Sequence, residues 1–271
     1  MSSIDPHNIN LISTFLAHEQ LPAAQPPPHA VDCIVICVSA ILHQAEAVFT
    51  FLGHNPHATQ TLVFCGGTGH STPYLYEAVS KHPKYAHLAP ETQGKAEAQV
   101  LHTIFTRGFE TVASDFRKAG GNLLVEDQST NCGQNAIQTR RLLERNAIPA
   151  PNSVIIVQDP TMARRTIASF VKAFAPLTPD FISWPIIVPR VRLQEDNELV
   201  YDVDGIPADS LWSIPRFLGL LMGEIPRLRD DDNGYGPRGK GFIDHVDIPE
   251  GVERAFHGLE RGMLGSELAK R

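Results

Sequence analysis

The chain has 271 residues, 42% of them hydrophobic, enough for one sizeable α/β domain with an appended segment and too apolar for wholesale disorder. Lys plus Arg number 23 and Asp plus Glu 30, a formal charge of −7. That balance excludes a general attraction for nucleic acid or for an anionic membrane, so an anionic ligand needs a local cluster of donors.

Asn8 to His18 predicts a short helix, because Ile9, Leu11, Ile12, Phe15 and Leu16 recur at helical spacing. Pro22 to Pro28 reads as a proline-rich linker. Val31 to Val38 is a continuous apolar run, the pattern of a strand buried on both faces. A helix over Ile41 to Leu52 and a strand over Thr61 to Cys65 follow. Helices are expected at Ser71 to Lys81 and Gly94 to Gly108, then a strand at Asn122 to Val125 and a helix at Asn131 to Asn146. Ser153 to Val157 is the fourth strand. Pro160 to Ala175 reads as a helix with proline at its first position. Phe181 to Val188 is a fifth strand, and Pro185 places it at an edge. Strand and helix alternate without hairpins, which predicts an open, mostly parallel sheet with helices on both faces.

Past Pro189 the pattern weakens. Ile206 to Met222 looks helical, Gly223 to Val246 reads as a loop dense in Gly, Pro, Arg and Asp, and Gly251 to Lys270 is a final helix. The expected organisation is a helix and linker over 1–30, a core over 31–190, and an extension over 191–271 packed on that core. No apolar stretch approaches the about 20 residues that span a bilayer, and Met1 to Gln20 lacks signal-peptide features. Cys33, Cys37, Cys65 and Cys132 fit no zinc spacing and read as reduced core thiols, in keeping with a cytoplasmic location. The oligomeric state is not readable.

Ligands of open α/β sheets bind outside the carboxyl ends of the strands. Those ends deliver Ser39, then the turn Gly66-Gly67-Thr68-Gly69-His70-Ser71, then Glu126 to Asn131, then Gln158-Asp159-Pro160-Thr161. Glycines allow close backbone approach, and a following helix aims free N–H groups at an anion. The turn lacks the third glycine of a dinucleotide fingerprint and the lysine of a P-loop, and it also suits a tight strand-to-helix turn with no ligand. Glu126 can accept from ribose hydroxyls or serve as a helix charge. Ser129, Asn131 and Asn135 are candidate donors, with Ser129 or Asn131 alternatively an N-cap. Asp159 is equally a capping residue. Of Arg164 and Arg165, at most one faces the rim easily; the other reads as a solvated surface charge. His70 is a candidate acid or base, as is Glu97 at a helix start. The twelve histidines show no paired-ligand spacing, so no metal is expected.

Cys65 to Ser71, Gly94-Lys95-Ala96-Glu97-Ala98, Glu126 to Ala136 and Val157 to Thr166 together resemble the DUF218 family, in its YdcF-like branch. The tail segments Gly223 to Asp230, Gly234 to Gly239 and His245 to Asp247 resemble that branch rather than the whole family. The resemblance runs from about Asp32 to Pro249. It implies a Rossmann-like fold and S-adenosylmethionine as the bound cofactor, and it implies no particular reaction. The motif positions carried over are Gly66, Gly67, Gly69, His70, Ser71, Glu97, Glu126, Ser129, Asn131, Asn135, Asp159 and Arg164; Ser39 joins them on the rim. Arg165, Arg227, Arg229 and Arg238 are then candidates for an acidic second substrate. Two departures stand out: Val38-Ser39-Ala40 replaces the usual glycine-containing turn, and Thr161 stands where many members of the family carry histidine. The expected function is a transferase that uses S-adenosylmethionine on a small acidic substrate. The alternatives are a hydrolase or transferase of a phosphoester or nucleotide-linked metabolite, and a non-catalytic ligand sensor.

Overall fold

A computed structural model describes residues 5–22 and 27–268, without the side chains of 264–268. The central part of the expected linker, 23–26, and the last two residues of the expected final helix lie outside the described residues. Five strands, β1 (Val31–Cys37), β2 (Thr59–Cys65), β3 (Asn122–Glu126), β4 (Ser153–Val157) and β5 (Asp180–Ser183), form one sheet in the order β3-β2-β1-β4-β5. Every pairing in it is parallel, as in a Rossmann-like open sheet. β5 is indeed an edge strand and stops at Ser183, two residues before Pro185.

Side chains alternate across the pleat, so each buried strand feeds two cores. Ile34, Ile36, Leu62, Phe64, Ile155 and Val157 face one layer, with α2 (His43–His54), α5 (Glu97–Gly108) and α6 (Glu110–Lys118). Cys33, Val35, Cys37, Val63, Cys65, Val154 and Ile156 face the other, with α7 (Cys132–Arg145) and α8 (Ala163–Phe174). All four cysteines are buried and unpaired. Two more helices, α3 (Thr72–Lys81) and the single turn α4 (Ala89–Thr92), lie between β2 and α5.

α6 is a helix the periodicity did not reveal; it buries only Ala113 and Phe116, too few apolar positions to register as a stripe. α8 begins at Ala163 rather than Pro160, because Asp159, Pro160, Thr161 and Met162 form a turn closed by the Met162 amide on the Asp159 carbonyl. Past Pro189, where the pattern weakens, β6 (Val191–Leu193) and β7 (Leu199–Tyr201) form an antiparallel pair outside the main sheet that the sequence pattern did not reveal. The helix expected at 206–222 is displaced to α9 (Ile214–Leu228). Pro215 sits in its first turn, where its missing N–H costs nothing. Its last turn, which looked like loop because of Gly223 and Pro226, is retained by the fully buried Ile225 and Leu228. α10 (Glu250–Leu268) closes the chain.

The first helix, α1 (Pro6–Ala17), packs against α8, α9 and α10, so both ends of the chain share one core with the sheet. Among the described residues no helix is long and apolar enough to cross a membrane. One buried ion pair pins α9 to α8. The Arg165 Nε and Nη2 donate to the two carboxylate oxygens of Glu224 at 2.5 and 3.0 Å, and Glu224 is 2% exposed. Removing one partner of such a pair strands a buried charge. Glu224→Gln is therefore expected to lower stability by about 3 kcal/mol. The double change Arg165→Met with Glu224→Leu should recover most of that loss, as read from urea unfolding midpoints.

Candidate functional site

The strand order reverses between β1 and β4, which makes their carboxyl ends the place where an open sheet leaves a crevice. Asp159 follows β4 there and is fully buried. Its Oδ1 accepts from the Thr161 amide at 3.0 Å and the Thr161 hydroxyl at 2.6 Å. Its Oδ2 accepts from the Ser39 hydroxyl at 3.1 Å and the Trp212 indole N–H at 2.7 Å. Asp159 is thus neither a helix cap nor a group presented to a ligand; it joins β1, the β4–α8 turn and the extension. Thr161 completes this arrangement with both its amide and its hydroxyl on the same carboxylate oxygen.

The glycine turn after β2 is filled by its own protein. A side-chain carbon on Gly67 would lie 2.1 Å from the Ser129 carbonyl oxygen. The amides of Gly66, Gly67 and Gly69 donate to the Glu126 carbonyl, the Ser129 hydroxyl and the Thr72 hydroxyl. The carbonyls of Gly66 and Gly67 accept the first amides of α5 at 2.7 and 2.9 Å. The donors and acceptors of these three glycines lock the turn to β3, its loop, α3 and α5, so the glycine amides themselves are taken by the protein. Glu126, expected to meet ribose, is 2% exposed and accepts from the amides of Gln128 and Ser129 and from the Cys65 thiol. Ser129 is buried against Gly67. Asn131 caps α7 through the Gln134 amide. Ser71 stands at the N-cap position of α3 without a side-chain bond.

His70 is exposed and makes no hydrogen bond among the described residues, and Asn135 keeps its side-chain amide free and half-buried. Glu97 lies over Gly66, with its Oε1 accepting from Thr72 at 2.8 Å. Burial pushes its carboxyl above the usual carboxylate range, and the Thr72 hydroxyl pulls partly back. Nothing brings His70 and Glu97 into contact.

The arginines leave the rim. Arg164 donates from Nε to the Phe15 carbonyl at 2.5 Å and stacks on the Phe15 ring, so it faces α1. Arg165, read as a surface charge or a substrate donor, is buried on Glu224, and Arg227 reaches the same carboxylate at 2.9 Å. Arg229 makes two bonds to Glu253, at 3.0 and 2.7 Å. Arg238 holds Asp230 at 3.1 Å while remaining exposed. Arg227, Arg229 and Arg238 are thereby used within the extension and its contact with the core.

The open space lies to one side of the glycine turn. A cleft of about 790 Å³ is enclosed by the start of α2, by α3 with the turn after it, and by the segment 206–216. Metabolite sites span about 300–1,000 Å³. On its floor the Glu46 carboxylate accepts from the Tyr85 hydroxyl at 2.7 Å and lies 3.4 Å from the Lys84 ammonium. His82 stacks on Tyr85, with ring centres 4.3 Å apart. Burial pushes the imidazoles of His43 and His82 down, with Glu46 opposing and Lys84 assisting, so both are neutral at pH 7. Tyr74, Trp212 and Arg216 form the opposite wall. Among the described residues no group of three His, Cys, Asp or Glu side chains is placed to hold a metal ion.

A scan against protein-family models finds none that matches the chain. The DUF218 resemblance therefore rests on the motifs quoted for it. Sequence reasoning missed His43, Glu46, Tyr74, His82, Trp212 and Arg216. One signal was present: a tryptophan outside the strand pattern, four residues before an arginine, at the start of an amphipathic run.

Two outcomes test this account. Gly67→Ala should cost about 2–3 kcal/mol in urea unfolding because backbone must move. Gly69→Ala, whose added carbon meets only ordinary contact at 3.5 Å, should stay within about 0.5 kcal/mol. For Glu97 the folded value is raised, so the stability present below its unfolded value is lost as pH climbs through the folded one. Glu97→Gln should consequently raise the urea midpoint at about pH 8 and leave it unchanged at about pH 4.

Proposed function

We propose that the chain is a small-molecule-binding protein whose ligand occupies the cleft between α2, α3 and the segment 206–216. The observation that carries this reading is the position and make-up of the cleft. It adjoins the strand ends beside the sheet's reversal point, and its walls mix carboxylates, cations, aromatic rings and neutral imidazoles. Buried apolar strands supply a rigid base, and two βα connections plus the extension supply the polar groups.

S-adenosylmethionine, which the family resemblance implies, suits this donor set. It carries a carboxylate, a sulfonium cation, ribose hydroxyls and a flat base. Arg216 matches the carboxylate, Glu46 and Glu77 match the cation or the hydroxyls, and Tyr74 supplies an aromatic surface. When bound, the sulfonium supplies an activated alkyl group for transfer. His43, whose ring makes no hydrogen bond among the described residues and whose proton affinity burial lowers, lines the cleft and is the candidate to accept a proton from an acidic acceptor substrate. The reading is thus an S-adenosylmethionine-dependent transferase whose chemistry lies in the cleft rather than on the glycine turn.

Titration calorimetry of the purified protein with S-adenosylmethionine and its demethylated product checks it. Both are expected to bind, and Ala78→Trp, which fills the α3 wall, should weaken binding by about tenfold or more with thermal stability unchanged. Absence of binding by either compound at millimolar concentration would sink the assignment.

A further inference from the structure

Arg216 lies in the first turn of α9, on the cleft wall. Its guanidinium carbon is 3.8 Å from the centre of the Tyr74 ring and 4.4 Å from that of Trp212. The two rings meet edge to face at 5.6 Å, and Trp212 is itself fixed by its N–H on Asp159. The cation is therefore positioned by aromatic rings. No acidic side chain among the described residues is in ion-pair range of it, and its buried Nε–H has no acceptor.

Among the described residues that is an exception. Arg140, Arg164, Arg165, Arg227 and Arg229 are the other partly buried arginines there, and each donates to a carbonyl or a carboxylate. The cleft's own acids do not substitute. Glu46 is bonded to Tyr85 and Lys84, Glu77 is paired with Lys81, and Asp209 is exposed and out of range. An N–H taken from water without an acceptor is costly, and a guanidinium tolerates it better than an ammonium because aromatic faces stabilise its charge. Contacts made through its faces leave the in-plane N–H groups for an oxyanion. The rest of the chain carries net negative charge, so a local receptor of this kind is what an anionic ligand requires.

We propose that Arg216, clamped by Tyr74 and Trp212, is the oxyanion receptor of the cleft and takes a carboxylate or phosphate group of the ligand in a two-pronged contact. This deepens the reading of the cleft as the ligand site and rests on it.

Trp212 provides the readout. The chain has two tryptophans, so Trp184→Phe leaves Trp212 as the only emitter. Its fluorescence is followed as acetate, oxalate, inorganic phosphate or S-adenosylmethionine is added at ionic strength held constant with chloride. At least one oxyanion is expected to give a saturable change that Arg216→Gln abolishes, with circular dichroism unaltered. Should that variant fail to fold, Arg216→Lys decides: it keeps the charge but loses the fork, and binding should weaken by about tenfold. Phosphate acting at lower concentration than the carboxylates assigns a phosphate-bearing ligand, and the reverse order assigns a carboxylate. A response to oxyanions but not to S-adenosylmethionine supports the receptor and removes the proposed cofactor. A response to S-adenosylmethionine that survives Arg216→Gln and Arg216→Lys overturns the receptor and keeps the cofactor. No oxyanion response in the folded protein, or one that both variants leave unchanged, overturns the receptor outright.

Discussion

The arrangement of the site depends on one buried carboxyl group. Asp159 is withdrawn from water, and such a group is tolerated only when its oxygens are met by donors. Those donors come from three separate stretches: Ser39 beyond β1, Thr161 in its own turn, and Trp212 far along the chain. The extension is therefore part of what makes the strand ends burial-competent, since without the indole N–H one strong acceptor position at the reversal point would go unmet. The constraint then propagates outward. Trp212 is oriented by its N–H, its ring meets Tyr74, and the two rings together set the position of Arg216. A core hydrogen bond thereby determines where a cation stands on the cleft wall.

How much of this was legible depended on the distance over which each feature is decided. The strands of the sheet are apolar runs buried on both faces, a property of five to seven adjacent residues. They were readable within two residues for β1 to β4, as were the parallel pairing and the edge position of β5. That polar residues would follow each strand was readable too. Whether those residues turn outward was not. Glu126 and Ser129 turn inward because the loop after β3 folds back onto Gly67, and a bond from the Gly67 amide to the Ser129 hydroxyl across 62 residues leaves no local trace. Arg164 and Arg165 are a sharper case. Their partners are Phe15 and Glu224, 149 and 59 residues away, and neither is implied by the helix that carries the arginines. The same holds for α9: Gly223 and Pro226 signal a loop locally, and burial of Ile225 and Leu228 against distant helices overrides them.

The glycine turn and the arginine-rich tail share a lesson about what a polar motif is for. Both have the composition of ligand loops, and the turn's glycines and the tail's arginines spend their hydrogen-bonding groups on the protein. The turn's amides and carbonyls splice β2 to β3 and to the start of α5. In the tail, Asp230 gathers Arg238 and His245, and His245 also reaches Asp247. Exposed pairs of this sort each add little to stability, but several converging on one irregular stretch restrict its conformations.

This changes how anion recognition is to be sought in an acidic chain. Density of arginine is a poor guide here, because Glu224 alone satisfies two of them and Glu253 a third. A cation already neutralised by a buried carboxylate has little left for a ligand, which would have to displace a partner of lower entropy cost than itself. The informative cation is the one whose desolvation is offset by aromatic faces alone. Arg216 has that environment, and it borders the cleft beside the strand ends. The extension thus closes the core through Trp212 and, four residues later in the first turn of α9, carries the one partly buried guanidinium left without an acceptor among the described residues.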